Sequence, residues 1–412
     1  MRQYRFGVRC PVLNNGQRTT DTDRFRSIMV TGYMADTYDV IVVGAGSSGL
    51  MAARELTQSD VRYLIIESKE QIGYPLRCGE ITREETFSEL LGHSAHQFIR
   101  NKINTVSFQI GNTRRLMQKT FFMLDKPRLL QWLSAPVENH LRLNTKLESL
   151  SIKNGGLEAI TNKGILRAKL AVIASGTDYR LQRKLGLLKG DVELVPCIGG
   201  LFRNTTLAPE TAYFHYDEKS SVATWFFPKG ENVVNAGAGR ILKNRTTERH
   251  SLGNVFRNVA KKGEIPLEGA LSFGGTYVTS GPLRRTYADR LLFCGDAAGH
   301  VFAGIGEGIY FALKAGQIAG RTAIEAVRRQ RLDSQFLQTY QAEWQTSFGR
   351  HMDSGVVFAT VLFFLMRHHL THRALKIIKP NEIHDMWIMG HCSLRMKLFY
   401  LFLRSLACTP KR

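Results

Sequence analysis

Tyr38-Asp39-Val40-Ile41-Val42-Val43-Gly44-Ala45-Gly46-Ser47-Ser48-Gly49 runs from an apolar stretch into three spaced glycines. The apolar part reads as a buried parallel strand. Residues 47 to 58, with Leu50, Met51, Ala52, Ala53 and Leu56, read as the helix that follows. Val61 to Ile66 is a second apolar run ending at Glu67, which completes a βαβ unit. The glycines have separate tasks: Gly44 permits a tight turn, Gly46 lets backbone N–H groups approach a pyrophosphate, and Gly49 lets the helix pack close to the strand. The phosphate then lies on the positive end of the helix, and Glu67 stands where a carboxylate binds ribose hydroxyls. This stretch predicts dinucleotide binding.

A second segment, some 250 residues on, narrows the choice. Arg290 to Cys294 reads as a buried strand, followed by Gly295-Asp296-Ala297-Ala298-Gly299 and then, through Gly304, Gly306, Glu307 and Gly308, by a helix from about Gly306 to Arg329. An aspartate after such a strand can bind the ribityl hydroxyls of a flavin. The helix start can stabilise an anionic reduced ring through its positive end. FAD is therefore expected rather than NAD, held by Gly44, Gly46, Ser48, Gly49, Glu67, Gly295, Asp296, Gly306, Gly308 and Ile309. No second GxGxxG occurs, so electrons would come from an external donor such as NADPH or ferredoxin.

Between these segments the texture changes. Leu147 to Ile173 alternates like a hairpin and closes in a strand ending at Gly176, while Arg128 to Leu143 has helical spacing. Short alternating runs at 212–216, 221–227, 232–238 and 271–278 indicate an antiparallel sheet. The fold expected is α/β plus antiparallel β. A discontinuous Rossmann-like FAD domain (37–185 and 281–335) carries an inserted β-rich substrate domain (186–280). Residues 1–36 read as a disordered or mis-started extension, and 336–412 as a helical, membrane-associated region.

The chain carries 56 Lys and Arg against 35 Asp and Glu, a formal charge of +21, which points to an anionic partner. No RNA-binding signature or recognition-helix pattern is present, so nucleic acid is not expected and a membrane surface is. Six scattered cysteines (Cys10, Cys78, Cys197, Cys294, Cys392, Cys408) lack a CxxC pair or metal spacing, the pattern of a reducing cytosol. Gly355 to Met366 is apolar for 12 residues, too short to span a bilayer. Leu394 to Leu406 places Leu398, Leu401, Phe402 and Leu406 along one side, with Arg395, Lys397 and Arg404 interspersed, which suits a helix lying in the membrane interface or capping the substrate domain. His368 and His372 have metal-pair spacing without a third ligand, and no metal is expected.

These segments resemble the geranylgeranyl reductase family, within the flavoproteins that share the para-hydroxybenzoate hydroxylase fold. Gly295 to Ile309 is similar to the family's GDAAG…GEGI segment, with Ala303 where a proline is usual, a departure that would loosen the turn. Pro75-Leu76-Arg77-Cys78-Gly79 resembles a PxxCG segment, which implies that Arg77, Cys78 and Gly79 lie near flavin and substrate; Glu80 stands where a second glycine is common. Trp225-Phe226-Phe227-Pro228-Lys229-Gly230 resembles a YxWxFP(KG) cavity signature with Ala223 at the tyrosine position. Ser175-Gly176 replaces a common Asp-Gly. On a strand, three consecutive aromatics put at least one on each face.

The resemblance implies reduction of isolated C=C bonds in polyprenyl lipid or pigment chains, by hydride transfer from the N5 atom of reduced flavin. Cys78, Trp225 and Phe227 are assigned to the catalytic site, with Cys78, Tyr74 or water as proton source. The protein is expected in the cytoplasm, peripherally attached to membrane. Two alternatives stand beside this: a flavin monooxygenase or halogenase of the same fold, and a membrane-surface flavin electron carrier.

Overall fold

The central strand, Thr37–Val43, is flanked in parallel by Tyr63–Ile66 on one side and Gly164–Ile173 on the other. This is what its unbroken apolar run requires, since both faces of a central parallel strand are covered. The chain is described here from a computed structural model, which covers residues 37–408 apart from 111–112, 154, 189–193, 204–205, 218–219, 241–251, 263–264, 266–267, 280 and 371–379. The expectations for residues 1–36 and for His372 lie outside the described residues.

The first sheet runs in the order Tyr287–Ala288, Leu291–Phe293, Gly164–Ile173, Thr37–Val43, Tyr63–Ile66, Leu141–Arg142. The expected hairpin is a three-strand meander, with Leu147–Lys153 and Gly156–Thr161 pairing antiparallel beside Gly164–Ile173. The expected helix from Arg128 ends early, spanning Lys126–Ser134 under an Asp125 cap, because Pro136 follows in a short 3-10 turn and offers no N–H to continue it.

The second sheet differs from the expected insert. Its order is Glu268–Thr279, Leu194–Arg203, Val233–Arg240, Val222–Gly230, Thr211–Asp217, Ile99–Ile110, Thr113–Leu124, Ile81–Arg83. The last three strands come from residues that the sequence reading assigned to the FAD domain. Ile99–Ile110 joins by pairing parallel with Thr211–Asp217. Charged residues such as Arg114, Arg115 and Lys119 obscured the alternation of Thr113–Leu124. The β-rich half is therefore itself discontinuous, and the described residues from Thr37 onward form one compact unit. One apolar core runs from Val40 and Leu50 to Val106, Phe121 and Phe214.

Helix Ile309–Arg328 packs on Ser47–Leu56 and buries Phe311, Leu313, Ala315 and Ile318. Full burial of Leu313 alone contributes about 2 kcal/mol. The apolar segment at 355–366, read from sequence as too short to span a bilayer, is not an isolated run. It continues a helical run from Ser334 to Arg367, 34 residues, long and apolar enough to cross a membrane by length and composition. Slightly more than half of that apolar window (56%) is packed inside the protein.

Candidate active site

The two glycine-rich segments meet. A Cβ added at Gly295 would lie 2.5 Å from Ser48 Oγ, so the turn after Leu291–Phe293 abuts the start of helix Ser47–Leu56. Gly49 is needed for the same closeness, since a Cβ there would stand 1.9 Å from Gly44 O. At Gly46 a Cβ would meet nothing within 4 Å; it faces open space.

That space is three adjoining cavities, all lined in part by Gly46. One of about 350 Å³ is bounded by Gly44, Glu67, Lys69, Lys146, Asp178 and Lys184. A small one of about 120 Å³ lies by Glu67, Arg77, Cys78 and Lys126. The third, about 330 Å³, extends past Ser48, Arg77, Cys78 and Gly79 to Asp296, Gly306, Gly308 and Ile309. The sequence-predicted residues thus line three cavities that share Gly46, or pack directly behind them. Glu67 is aimed by its surroundings: Ala45 N–H donates to Oε2 at 2.8 Å and Lys69 N–H to Oε1 at 2.9 Å. Burial raises the pKa of the Asp296 carboxyl, partly offset by Lys126.

On the far wall, Ala223, Trp225 and Phe227 share the cavity face of strand Val222–Gly230. Phe226 points the other way and stacks on Phe256. Phe121, Phe214, Phe363 and Trp387 complete an aromatic enclosure. Two glycines make room for Trp225. Gly199 and Gly237 are cross-strand partners, and Gly237 pairs with Trp225 itself. A Cβ would fall 2.8 Å from the Trp225 ring at Gly199 and 2.3 Å at Gly237. Glycines inside otherwise alternating strands were the available signal of such an approach.

The cysteine loop is fastened by a buried polar network that sequence reading missed. Glu80 is fully buried with φ +57°, the left-handed region that favours glycine and explains the second glycine common at this position. Its Oε2 lies 2.5 Å from Lys229 Nζ and accepts from Asn235 Nδ2 at 3.2 Å. Asn235 also donates to Cys78 O at 2.8 Å and accepts from Trp225 Nε1 at 3.1 Å. Burial disfavours the Lys126 ammonium, but Cys78, Asp296 and Glu80 outweigh it and raise its pKa. Tyr74, considered as a proton source, is 43% exposed and does not line the cavity beside Asp296.

A second network crosses the loop of Gly304 to Ile309. Arg83 donates to both oxygens of Glu307, at 2.7 and 2.6 Å, and Trp387 Nε1 donates to Glu307 Oε2 at 2.7 Å. Burial opposes the Arg83 charge, yet Glu307 holds its pKa above the usual value. The loop lacking proline at Ala303 is braced instead by Phe302 N–H to Glu307 O (2.8 Å) and Gly306 N–H to Phe302 O (3.0 Å). Among the described residues, no cluster of His, Cys, Asp or Glu could hold a metal.

Comparison with known proteins bears on the fold. The Thi4 family matches residues 25–101, the segment around the first fingerprint. A digeranylgeranylglycerophospholipid reductase 2 of Methanothermobacter thermautotrophicus is 26% identical over 341 residues, 79% of this chain and 88% of that protein. A geranylgeranyl bacteriochlorophyll reductase-like protein of Thermoplasma acidophilum superposes with a TM-score of 0.73 at 22% identity, covering 89% of this chain and 96% of the other. PqsL of Pseudomonas aeruginosa, a probable FAD-dependent monooxygenase, does so with a TM-score of 0.60 at 19% identity, covering 79% and 96%. The resemblance to the geranylgeranyl reductase family is borne out, as is the mixed α/β flavoprotein fold with C-terminal helices. The chain is a flavin-dependent oxidoreductase of reductase type.

Proposed function

We propose that this enzyme saturates isolated C=C bonds in polyprenyl chains carried by a lipid or pigment. The observation that carries the reading is the aromatic enclosure of Trp225, Phe227, Phe121 and Trp387 opening onto the loop of Gly304 to Ile309. Bound FAD, once reduced, supplies the hydride.

An unactivated alkene offers no carbonyl to polarise, so the residues act by placing the chain and excluding water. Asp296 would hold the sugar-alcohol arm of the cofactor, and the start of helix Ile309–Arg328 would favour negative charge on its reduced ring. Trp225, lying flat over Gly199 and Gly237, and Phe227 hold the apolar chain. Of the two side chains considered as proton source, Cys78 is the one on the wall of this cavity. The Lys126 ammonium lies beside it, its charge favoured by Cys78, Asp296 and Glu80.

Leu394, Leu398, Leu401 and Phe402 of helix Leu394–Cys408 are all more than half exposed, with Lys397 between them. This spacing favours an interfacial helix on anionic membrane, which would give lipid substrates a short path to the cavity.

The deciding experiment is anaerobic. Dithionite-reduced protein is mixed with a geranylgeranylated lipid extract, and flavin absorbance is followed with lipid mass. Reoxidation with mass gains in steps of two hydrogens supports the reading. Flavin that stays reduced until air enters would favour an oxygen-using enzyme.

A further inference from the structure

Tyr216 and Ala223 stand directly opposite each other on the antiparallel strands Thr211–Asp217 and Val222–Gly230. Opposed residues in such a ladder share a face, with Cβ atoms about 5 Å apart. Both line the cavity, and the next row on the same face is Phe214 opposite Trp225. Tyr216 is buried, and its hydroxyl donates to Gly304 O at 3.3 Å. Gly304 follows Ala303, has φ +87° and lies under Phe358.

Two departures from the resembled pattern, Ala223 and Ala303, therefore meet at one side chain. A tyrosine at 223 would compete for the volume that the Tyr216 ring fills, and the alanine methyl leaves it free. A turn without proline loses a fixed φ, and a side-chain bond to the next carbonyl restores part of that restraint.

We infer that Tyr216 supplies, from the neighbouring strand, the aromatic wall that position 223 lacks, and that its hydroxyl positions the loop of Gly304 to Ile309 against the substrate chain. Burial pushes the phenol pKa upward, so it remains a neutral donor at working pH. The wall role rests on the reading of this cavity as an apolar-chain site; the loop role does not.

The test uses the full chain with bound flavin: wild type, Tyr216→Ala, Ala223→Tyr, the double variant and Tyr216→Phe. Two quantities are measured, geranylgeraniol affinity from the perturbed flavin spectrum and the rate of flavin release. Tyr216→Ala is expected to weaken chain binding about tenfold, the scale of one aromatic contact. Ala223→Tyr alone should cost a similar factor by crowding. The double variant should return to within about threefold of wild type, a strong coupling between neighbours. Tyr216→Phe should keep chain affinity but speed flavin release about fivefold, the loss of one hydrogen bond. Additive losses in the double variant overturn the wall, and unchanged release from Tyr216→Phe overturns the loop role. If Tyr216→Ala does not fold, Tyr216→Leu replaces it, and undiminished chain affinity there also overturns the wall. Wild type that binds no geranylgeraniol refutes the apolar-chain reading and with it the wall, while release from Tyr216→Phe still decides the loop role.

Discussion

The indole Nε1 of Trp387 donates to Glu307 Oε2 over 2.7 Å, joining helix Pro380–Trp387 to the loop of Gly304 to Ile309. The same carboxylate is held twice by Arg83, and the Trp387 ring stacks on Phe121 at 4.9 Å. The C-terminal region is thus part of the active-site wall as well as a candidate membrane contact.

Breaking this ion pair from one side should be severe. Glu307→Gln leaves Arg83 charged and buried, and is expected to cost about 3–5 kcal/mol in urea unfolding. Arg83→Met combined with Glu307→Met should cost less than the two single changes summed, because no unpaired charge remains. Equal or larger loss in the double variant would contradict this account.

Gly237→Ala is expected to destabilise by about 1–3 kcal/mol, since the new methyl meets both Trp225 and Ile198 O at 2.3 Å. The Trp225 fluorescence should shift toward that of a more solvated indole. Thermal unfolding and emission spectra check both effects, and an unmoved spectrum would show that the ring does not rest on this glycine.

Asp296→Ala tests the proposed hold of this cavity-lining carboxylate on the cofactor arm. Flavin affinity should fall by roughly 10- to 100-fold, the span of a hydrogen bond to a charged group. Equilibrium dialysis of the visible absorbance measures it, and retention equal to wild type would remove Asp296 from the cofactor site.

His300 is fully buried between Trp344 and Phe348, neither ring nitrogen has a hydrogen-bond partner, and burial pushes its pKa down to about 3. The unfolded chain binds this proton below about pH 6.5 and the folded one does not, so stability falls as pH drops through that window. Between pH 6.5 and 5 the loss from this one group is about 2 kcal/mol. His300→Phe should flatten that slope, read as urea midpoints at several pH values. A slope unchanged from wild type would mean that His300 takes up no proton on unfolding.

Leu398→Glu with Phe402→Glu should leave the fold intact, since both side chains are exposed, and should abolish sedimentation with anionic vesicles. Sedimentation equal to wild type would exclude this helix as the membrane contact.

Much of the cofactor half was legible in the chain. The Gly44–Gly49 turn, Glu67 and the Gly295–Ile309 segment are local patterns, in which strand, turn and helix follow one another within a few residues. The aromatic strand was legible too, with Trp225 and Phe227 facing inward by the two-residue period. The membership of residues 81–124 in the second sheet was not, because parallel pairing of Ile99–Ile110 with Thr211–Asp217 joins segments a hundred residues apart. Nor was the length of the helix through Ser334–Arg367, where polar residues in the first half hid its continuity with the apolar second half.

By itself, then, the sequence determined the dinucleotide fingerprint, the flavin-type second segment and the aromatic wall, since each depends on short-range periodicity and backbone freedom at particular glycines. Tertiary structure alone decided which groups are partners. Glu80 with Lys229, Arg83 with Glu307 and Trp387, and Tyr216 opposite Ala223 are brought together by sheet register and helix packing. Those contacts lie up to 304 residues apart in the chain, where no local pattern records them.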